Sequence, residues 1–248
     1  WGCRLHLKTL AEIHLAGDRV VEQEILVALG DRFVHHLLDA ARVELLLELV
    51  EAAERLFARR GYDGVTLADI RKAAGQHNSS VIGYYFGTKE GLLLAVFTHR
   101  LPSVDSERAA LLAETLAEKG RLSTRDALWA IVKPLAGTID RNNRYVALLD
   151  RLMHSDRFWC DIPGAHPCAG ATGRDADLAL RTSIGHLPDD IGTQRLDLVY
   201  GSILGRLAHY DRRGLPPTRT ELTALVDAWE ALLLAPVSDE THDARRAS

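Results

Sequence analysis

The short segment between Gly75 and Thr88 carries the side chains best suited to bind a charged partner. It contains no formally charged residue, yet it is rich in hydroxyl, amide and imidazole groups. These groups belong to Gln76, His77, Asn78, Ser79, Ser80, Tyr84 and Tyr85. Such side chains exchange hydrogen bonds with phosphate oxygens and with the edges of bases. The segment therefore favours contact with nucleic acid, with phosphate bound by hydroxyls, by backbone N–H groups at helix starts and by Lys89 just beyond it.

The charge around this segment differs from the charge of the rest of the chain. The 248 residues carry a formal net charge of −4. Residues 55–100 contain seven Lys or Arg and three Asp or Glu, a net of +4, so the remaining residues must sum to −8. A locally basic segment in an acidic chain is typical of a small DNA-reading module attached to another domain. The same balance also fits an ordinary solvated surface, so charge alone does not decide between them.

The residues before this segment predict two helices that would hold it in place. Apolar positions recur at helical spacing over 41–60, which predicts a long helix, and Gly61 is suited to a left-handed cap at its end. Thr66 is a typical N-cap for a short helix that ends at Ala73 or Ala74. Both alanines are small enough to let a second short helix cross there.

A turn and two further helices are predicted next. Residues 75–78 form the turn, 79–85 a short helix, and 89–101 a fourth helix. Two short helices joined by a tight turn make a helix-turn-helix, in which the second helix enters the major groove of DNA. We expect one of Tyr84 and Tyr85 to be partly buried and the other to lie near phosphate.

The remainder of the chain also reads as helical, which predicts an all-α fold. Leu and Ala dominate, and no sustained alternation of apolar and polar residues marks a strand. Further helices are predicted over 105–118, 124–138, 143–158, 175–184, 190–212 and 219–234. Residues 160–174 are interpreted as a loop.

Proline positions and composition suggest how the chain divides. Pro102 predicts a boundary between an N-terminal three-helix helix-turn-helix domain, 41–101, and a C-terminal helical domain, 102–236. The polar residues 237–248 predict a frayed tail. Residues 1–40 allow two interpretations, an added helical extension or a stretch without stable order.

A series of short motifs in this region resembles the DNA-binding domain of the TetR family. The motifs are Leu56-Phe57, Gly61-Tyr62, Thr66, Asp69-Ile70, Ala73-Ala74-Gly75, Tyr84-Tyr85-Phe86 and Gly87-Thr88-Lys89-Glu90. Each is weak alone, but together their order and spacing are specific, over about a fifth of the chain. The turn after Gly75 is one residue longer than the common family pattern, and it resembles a subgroup with a lengthened turn.

The resemblance implies a sequence-specific DNA-binding regulator, by family default a repressor that a small molecule releases from a palindromic operator. It also implies a cytoplasmic homodimer that needs no cofactor. The residues then expected to contact double-stranded DNA are Thr66, His77, Asn78, Ser79, Ser80, Gly83, Tyr84, Tyr85 and Lys89.

The resemblance places dimerisation on the two long helices predicted over 190–212 and 219–234. Both carry apolar stripes, and Gly201 and Gly205 are spaced to let a partner helix approach closely. The interface residues expected are Val199, Ile203, Gly205, Leu222, Leu225 and Trp229. On periodicity alone, the same stripes also fit the core of a single chain.

The resemblance also implies a binding site for a small, largely apolar effector within residues 105–185. The lining residues expected are Trp129, Tyr145, Met153 and Phe158. Each of these residues also fits an ordinary hydrophobic core.

The cysteines and histidines give little support to a metal or redox site. Cys160, His166 and Cys168, with His154 nearby, allow a sensor, but their spacing matches no standard zinc pattern and favours a plain loop, with no metal bound. Three cysteines in the whole chain are too few for a disulfide framework, which indicates a reducing, intracellular location.

The sequence gives little support to two other classes of function. An all-helical enzyme would need a catalytic pattern, and the sequence has no Gly-x-Ser-x-Gly, phosphate-binding loop or His-Glu-x-x-His. A helical interaction module without DNA is disfavoured by the motif series over 56–90. No run of 18 apolar residues predicts a membrane span.

Overall fold

The computed structural model describes residues 40–155 and 168–247. Every regular element in those two ranges is an α-helix, which confirms the predicted all-α fold. The helices are α1 (Ala40–Arg60), α2 (Leu67–Ala73), α3 (Val81–Phe86), α4 (Lys89–Lys119), α5 (Thr124–Gly137), α6 (Tyr145–Met153), α7 (Ala171–Ser183), α8 (Asp189–Arg213), α9 (Arg219–Leu234) and α10 (Asp239–Ala247). In the described part of the chain, no helix is both long enough and apolar enough to cross a membrane.

The first four helices share a hydrophobic core. α1 packs against α2 and α4, and α3 packs against α4. Phe57, Ile70 and Leu92, from three of these helices, are fully buried. Burying one side chain of this size contributes about 1.5–3 kcal/mol to the free energy of folding. Gly61 follows α1 with a φ of +78°, the left-handed cap that the sequence predicts.

α4 runs unbroken from Lys89 to Lys119, so the predicted helix end before Pro102 is wrong. A proline inside a helix removes one backbone hydrogen bond and costs about 3 kcal/mol. Here Pro102 is exposed, whereas Phe97 and Val104 on either side of it are buried. Burial of this apolar face offsets the cost, and α4 connects the two predicted domains as one helix.

α6 lies between the N-terminal helices and the C-terminal ones. It packs against α1 and, most extensively, against α8. Its apolar residues Val146, Leu148, Leu149 and Leu152 are buried. α6 ends at Met153, before the predicted end at 158, and residues 156–167 lie outside the described part of the chain.

α7 begins four residues earlier than the predicted helix 175–184, and α10 lies in a segment that the sequence predicts to be frayed. α7 begins inside the predicted loop 160–174, where the Thr172 hydroxyl donates hydrogen bonds to the backbone carbonyl and the carboxylate of Asp105. α10 covers most of the predicted frayed tail, and Arg245 on it donates to both carboxylate oxygens of Asp190, at 3.0 and 2.8 Å. Contacts with distant residues stabilise both segments, so the loop prediction is wrong over 171–174 and the prediction of a frayed tail is wrong over 239–247.

Candidate nucleic-acid interface

α2 begins at a capping box formed by Thr66 and Asp69. The Thr66 hydroxyl accepts a hydrogen bond from the Asp69 amide at 3.1 Å, and the Asp69 carboxylate accepts one from the Thr66 amide at 3.0 Å. The hydroxyl also donates to that carboxylate at 2.7 Å, and these bonds hold the pKa of Asp69 below its ordinary value. Thr66 is exposed and fixes the start of α2, while its contact with DNA stays a prediction.

Arg71 holds the turn between α2 and α3. Its Nη1 donates to the backbone carbonyls of Gln76 at 2.8 Å and His77 at 3.1 Å. The side-chain amide of Gln76 in turn donates to the carboxylate of Glu48 on α1, at 3.1 Å. Gly75 opens the turn with a φ of +68°, which favours glycine. The sequence identified the turn but not the arginine that fixes it, because an arginine in this position also fits a solvated surface.

An Arg71→Ala variant should unfold more easily and bind DNA more weakly. Two charge-assisted hydrogen bonds to the turn would be lost, which costs about 1–3 kcal/mol for this half-buried side chain. The result is read from thermal unfolding and from the dissociation constant for duplex DNA. Lys72→Ala is the matched control, since it removes the same charge from an exposed neighbour and should leave stability nearly unchanged. Equal losses of stability in both variants would contradict the role of Arg71.

α3 begins two residues later than predicted, at Val81 instead of Ser79. The reason is Asn78, whose carboxamide oxygen accepts hydrogen bonds from the Ser80 amide at 3.0 Å and from the Ser80 hydroxyl at 2.8 Å. This local bond holds residues 78–80 in a turn that precedes the helix. Asn78 and Ser80 thus shape the entry to α3, and Ser79 and His77 beside them are exposed.

One face of α3 is packed into the core and the other faces solvent. Val81, Ile82 and Phe86 are buried, whereas Gly83 is exposed and Tyr84 keeps 66% of its surface accessible. A concave surface of about 770 Å³ between α2 and α3 is lined by Leu67, Ala68, Arg71 and residues 78–85. Most of the residues predicted to contact DNA therefore lie on one continuous, solvent-facing surface.

Tyr84 and Tyr85 differ in exposure in the expected way. Tyr85 is half-buried, and its hydroxyl accepts a hydrogen bond from Nε of Arg42 at 2.8 Å. The two tyrosine rings meet edge to face, with centroids 4.9 Å apart. Arg42, near the start of α1, thereby joins the exposed side of α3, and the sequence offered no signal for this pairing.

Lys89 is the first residue of α4, and its ammonium lies over an aromatic ring. Its ammonium is 4.2 Å from the centroid of the Tyr62 ring, within range of a cation–π interaction. A cation at a helix N-terminus is unfavourable for the helix dipole, and the aromatic ring offsets this cost. The phosphate contact of Lys89 stays a prediction.

Two of the residues predicted to line an effector site lie on α6 and one lies on α5. Tyr145 is buried, its ring centroid lies 6.4 Å from that of Phe97, and burial raises its pKa. Met153 lies at the end of α6 and Trp129 is half-buried on α5. Phe158 lies outside the described residues. The site stays a prediction.

The sensor residues are placed only in part. Cys168 is buried, and burial raises the pKa of its thiol to about 12. The thiol therefore stays protonated at neutral pH. Cys160 and His166 lie outside the described residues. Among the described residues, no group of three or more His, Cys, Asp or Glu side chains is arranged to hold a metal ion.

The predicted dimer residues fall into two groups. Val199, Ile203 and Trp229 are buried within a single chain, where Trp229 donates from its indole N–H to the Ser202 hydroxyl at 2.9 Å. These three residues belong to the core of one chain, so a second chain would contact the more exposed residues beside them. Leu222 and Leu225 are half-buried and the large apolar side chain of Leu198 is 58% exposed.

Gly201 and Gly205 lie near side chains of their own chain. A Cβ atom on Gly205 would lie 3.7 Å from Oδ1 of Asp150, and one on Gly201 would lie 3.9 Å from Cε of Met153. Asp150 and Met153 belong to α6 of the same chain, so the two glycines lie next to α6, and their contact with a partner helix stays a prediction. A bulky residue at Gly205 would disturb this packing and would not report on dimerisation.

Comparison with known proteins agrees with this geometry. The model of the family described as "Bacterial regulatory proteins, tetR family" matches residues 49–96, which span most of α1 through the first turns of α4. Three relatives, each named HTH-type transcriptional repressor AcnR, come from Corynebacterium efficiens, Corynebacterium glutamicum and Corynebacterium diphtheriae. They are 32%, 30% and 34% identical to this chain over 46%, 46% and 47% of its length. The chain spans 50% of the length of the first two and 69% of the third.

The fold and the exposed face of α3 define a helix-turn-helix protein. The family match and the relatives make the assignment specific: the chain belongs to the TetR family of bacterial regulatory proteins. The names of the family and of these relatives describe regulators and repressors, and not enzymes. The motif series read from the sequence is therefore confirmed as a family signature.

Proposed function

We propose that the protein is a homodimeric transcriptional repressor that reads a palindromic operator with α3 of each chain. The observation that carries this proposal is the exposure of Gly83 and Tyr84 on α3 and of Ser79 in the turn before it, all lining the concave surface between α2 and α3. The family and the relatives named as repressors support it. Hydroxyl groups and a bare glycine suit close contact with phosphates and base edges.

The test is selection of binding sites from random duplex DNA. Two recognition helices related by two-fold symmetry enter successive major grooves about 34–36 Å apart, so the selected sites should be near-palindromes. Asymmetric single sites would contradict the dimeric reading mode, and a protein that enriches no sequence would contradict the proposal as a whole.

Lys89 is expected to bind a phosphate rather than a base. It stands at the start of α4, directly after the recognition helix, where the DNA backbone would pass. A Lys89→Ala variant should bind all sequences more weakly by a similar factor, and the slope of log affinity against log salt should flatten by about one unit per site.

The control for Lys89 is Lys119→Ala, at the far end of the same helix. Lys119 donates to the Asp126 carboxylate at 2.7 Å, away from α3, so its loss should leave DNA binding unchanged. A Lys89→Ala variant with an altered base preference and an unaltered salt slope would overturn the assigned role.

A second part of the proposal is control by a small molecule bound in the C-terminal helices. The interior there holds aromatic and aliphatic side chains and also the buried pair Arg108 and Asp105, so it is less uniformly apolar than the sequence suggested. An effector must prefer one arrangement of the DNA-binding helices to alter affinity for the operator. Operator DNA must then lower the affinity of the protein for the effector by the same factor. Titration of the effector with and without operator measures this change.

A further inference from the structure

We propose that Glu54 is a positioning residue that sets the spacing at which the protein reads the two halves of its operator. The inference rests on the proposed function, since it assumes a dimer that binds a palindrome. It follows from three sets of contacts, which join the DNA-binding helices to α6 and α6 to α8.

The first set surrounds the Glu54 carboxylate itself. Glu54 lies on α1 and is only 1% exposed. Its Oε2 accepts a hydrogen bond from Nε of Arg100 on α4 at 2.7 Å, and its Oε1 accepts from Nη2 of the same guanidinium at 3.4 Å. Oε1 also accepts from the backbone N–H of Arg144, the residue that precedes α6, at 2.5 Å. One buried carboxylate therefore joins α1, α4 and the start of α6.

The second set fastens the other end of α6 to α1. The guanidinium of Arg151 on α6 donates to the backbone carbonyl of Arg59, near the end of α1, at 3.3 Å. α6 and α1 are thus joined at two points, one near each end of α6. Glu54 supplies the buried one, where a hydrogen bond to a charged group is strongest.

The third set holds α6 against α8. The buried carboxylate of Asp211 on α8 accepts a hydrogen bond from the Ala147 amide in the first turn of α6, at 2.8 Å. Arg212, its neighbour on α8, donates to the Asp150 carboxylate at 2.9 Å. α8 is one of the two helices on which the family resemblance places dimerisation, so α6 connects a predicted dimer helix to α1.

Through these contacts, Glu54 affects the position of α3. α1 packs on α2, and α4 packs on α3, so both short helices move with the pair of helices that Glu54 joins. In a dimer, the angle of α1 and α4 against α6 fixes the distance between the two copies of α3. A change of about 3.4 Å in that distance corresponds to one base pair of DNA.

The experiment compares operators that differ only in the spacer between identical half-sites, taken from the selected sequence. Spacers one base pair shorter, unchanged and one base pair longer are each bound by the wild-type dimer and by Glu54→Gln. We expect the wild type to prefer one spacer by about tenfold or more, which is 1.4 kcal/mol or more. Glu54→Gln should prefer it by threefold or less, with the base preference inside each half-site unchanged.

Control variants separate positioning from a general loss of stability. Glu51→Gln changes an acid one turn earlier on α1, which makes only an exposed ion pair with Arg55 at 3.5 Å, and it should keep the wild-type discrimination. Arg100→Lys keeps a positive charge beside Glu54, so this variant should keep most of the spacer discrimination. Where Glu54→Gln alone does not unfold cooperatively, the double variant Glu54→Gln with Arg100→Gln leaves no buried charge unpaired and is compared instead.

The outcomes distinguish this proposal from the proposed function. Loss of spacer discrimination in the Glu54 variants, with base preference retained, supports the positioning role. A folded Glu54 variant that discriminates spacers as the wild type does would overturn it, as would a wild type that binds all three spacers equally. A wild type that binds none of the duplexes would instead refute the proposed function.

Discussion

A Gly83→Glu variant is expected to bind operator DNA about a hundredfold more weakly than the wild type while it keeps its fold. Gly83 is exposed on α3, and a Cβ atom built on it would meet no other atom within 4 Å. A side chain therefore fits the folded protein but projects from the face proposed to meet DNA. A carboxylate about 4 Å from a phosphate is repelled by about 1–4 kcal/mol near a protein surface, which spans this factor.

Gly83→Ala separates shape from charge at the same position. Alanine inside a helix is more favourable than glycine by about 0.5–1 kcal/mol, so this variant should unfold at a higher temperature than the wild type. The added methyl group should still weaken DNA binding, though less than the carboxylate does. Both constants come from fluorescence anisotropy with a labelled duplex, and wild-type affinity in Gly83→Glu would mean that this face of α3 does not meet DNA.

An Arg108→Met variant is expected to lose about 3–5 kcal/mol of unfolding free energy, the largest effect on stability among the variants considered. Arg108 on α4 has no exposed surface. It donates from Nε to the Ala130 carbonyl on α5 at 3.0 Å and from Nη1 to the Ala169 carbonyl, just before α7, at 3.0 Å. Its Nη1 also lies 3.4 Å from Oδ1 of Asp105, so methionine would remove the cation beside a buried carboxylate.

The matched variant for Arg108 adds Asp105→Asn. An asparagine keeps an oxygen that can accept from the Thr172 hydroxyl, while neither buried charge is then left without its counterpart. The double variant should recover a substantial part of the stability lost in Arg108→Met. Chemical denaturation measures both, and an Arg108→Met variant within about 1 kcal/mol of the wild type would show that the guanidinium is not structurally important.

The helix-turn-helix was predictable because its signals lie close together in the chain. Thr66 and Asp69 form their capping box across three residues, and Gly61 and Gly75 adopt the positive φ that their turns require. The burial pattern of α3 follows from residues 81–86 alone, with apolar residues on one side and Gly83 and Tyr84 on the other. Local chemistry of this kind does not depend on the rest of the fold.

The contacts that were not predictable join residues far apart in sequence. Glu54 lies 46 residues from Arg100 and 90 from Arg144 in the sequence. From the sequence alone, it cannot be distinguished from a glutamate on the exposed face of a helix. The spacing of Gly201 and Gly205 did not reveal that both glycines lie near side chains of α6 in the same chain. α4 continues through Pro102 because apolar residues before and after the proline are buried. A proline read as a local helix breaker carries no information about that burial.

The central claim, that α3 and its surroundings bind duplex DNA, is tested most directly by the salt dependence of binding. A duplex is titrated with the wild-type protein at several salt concentrations, and log affinity is plotted against log salt. We predict a straight line with a steep negative slope, since each phosphate contact releases condensed counterions; six contacts, three from each chain, correspond to roughly a thousandfold loss between 50 and 200 mM salt. An affinity that does not change with salt, or no binding to duplex DNA even at the lowest salt, would contradict the claim.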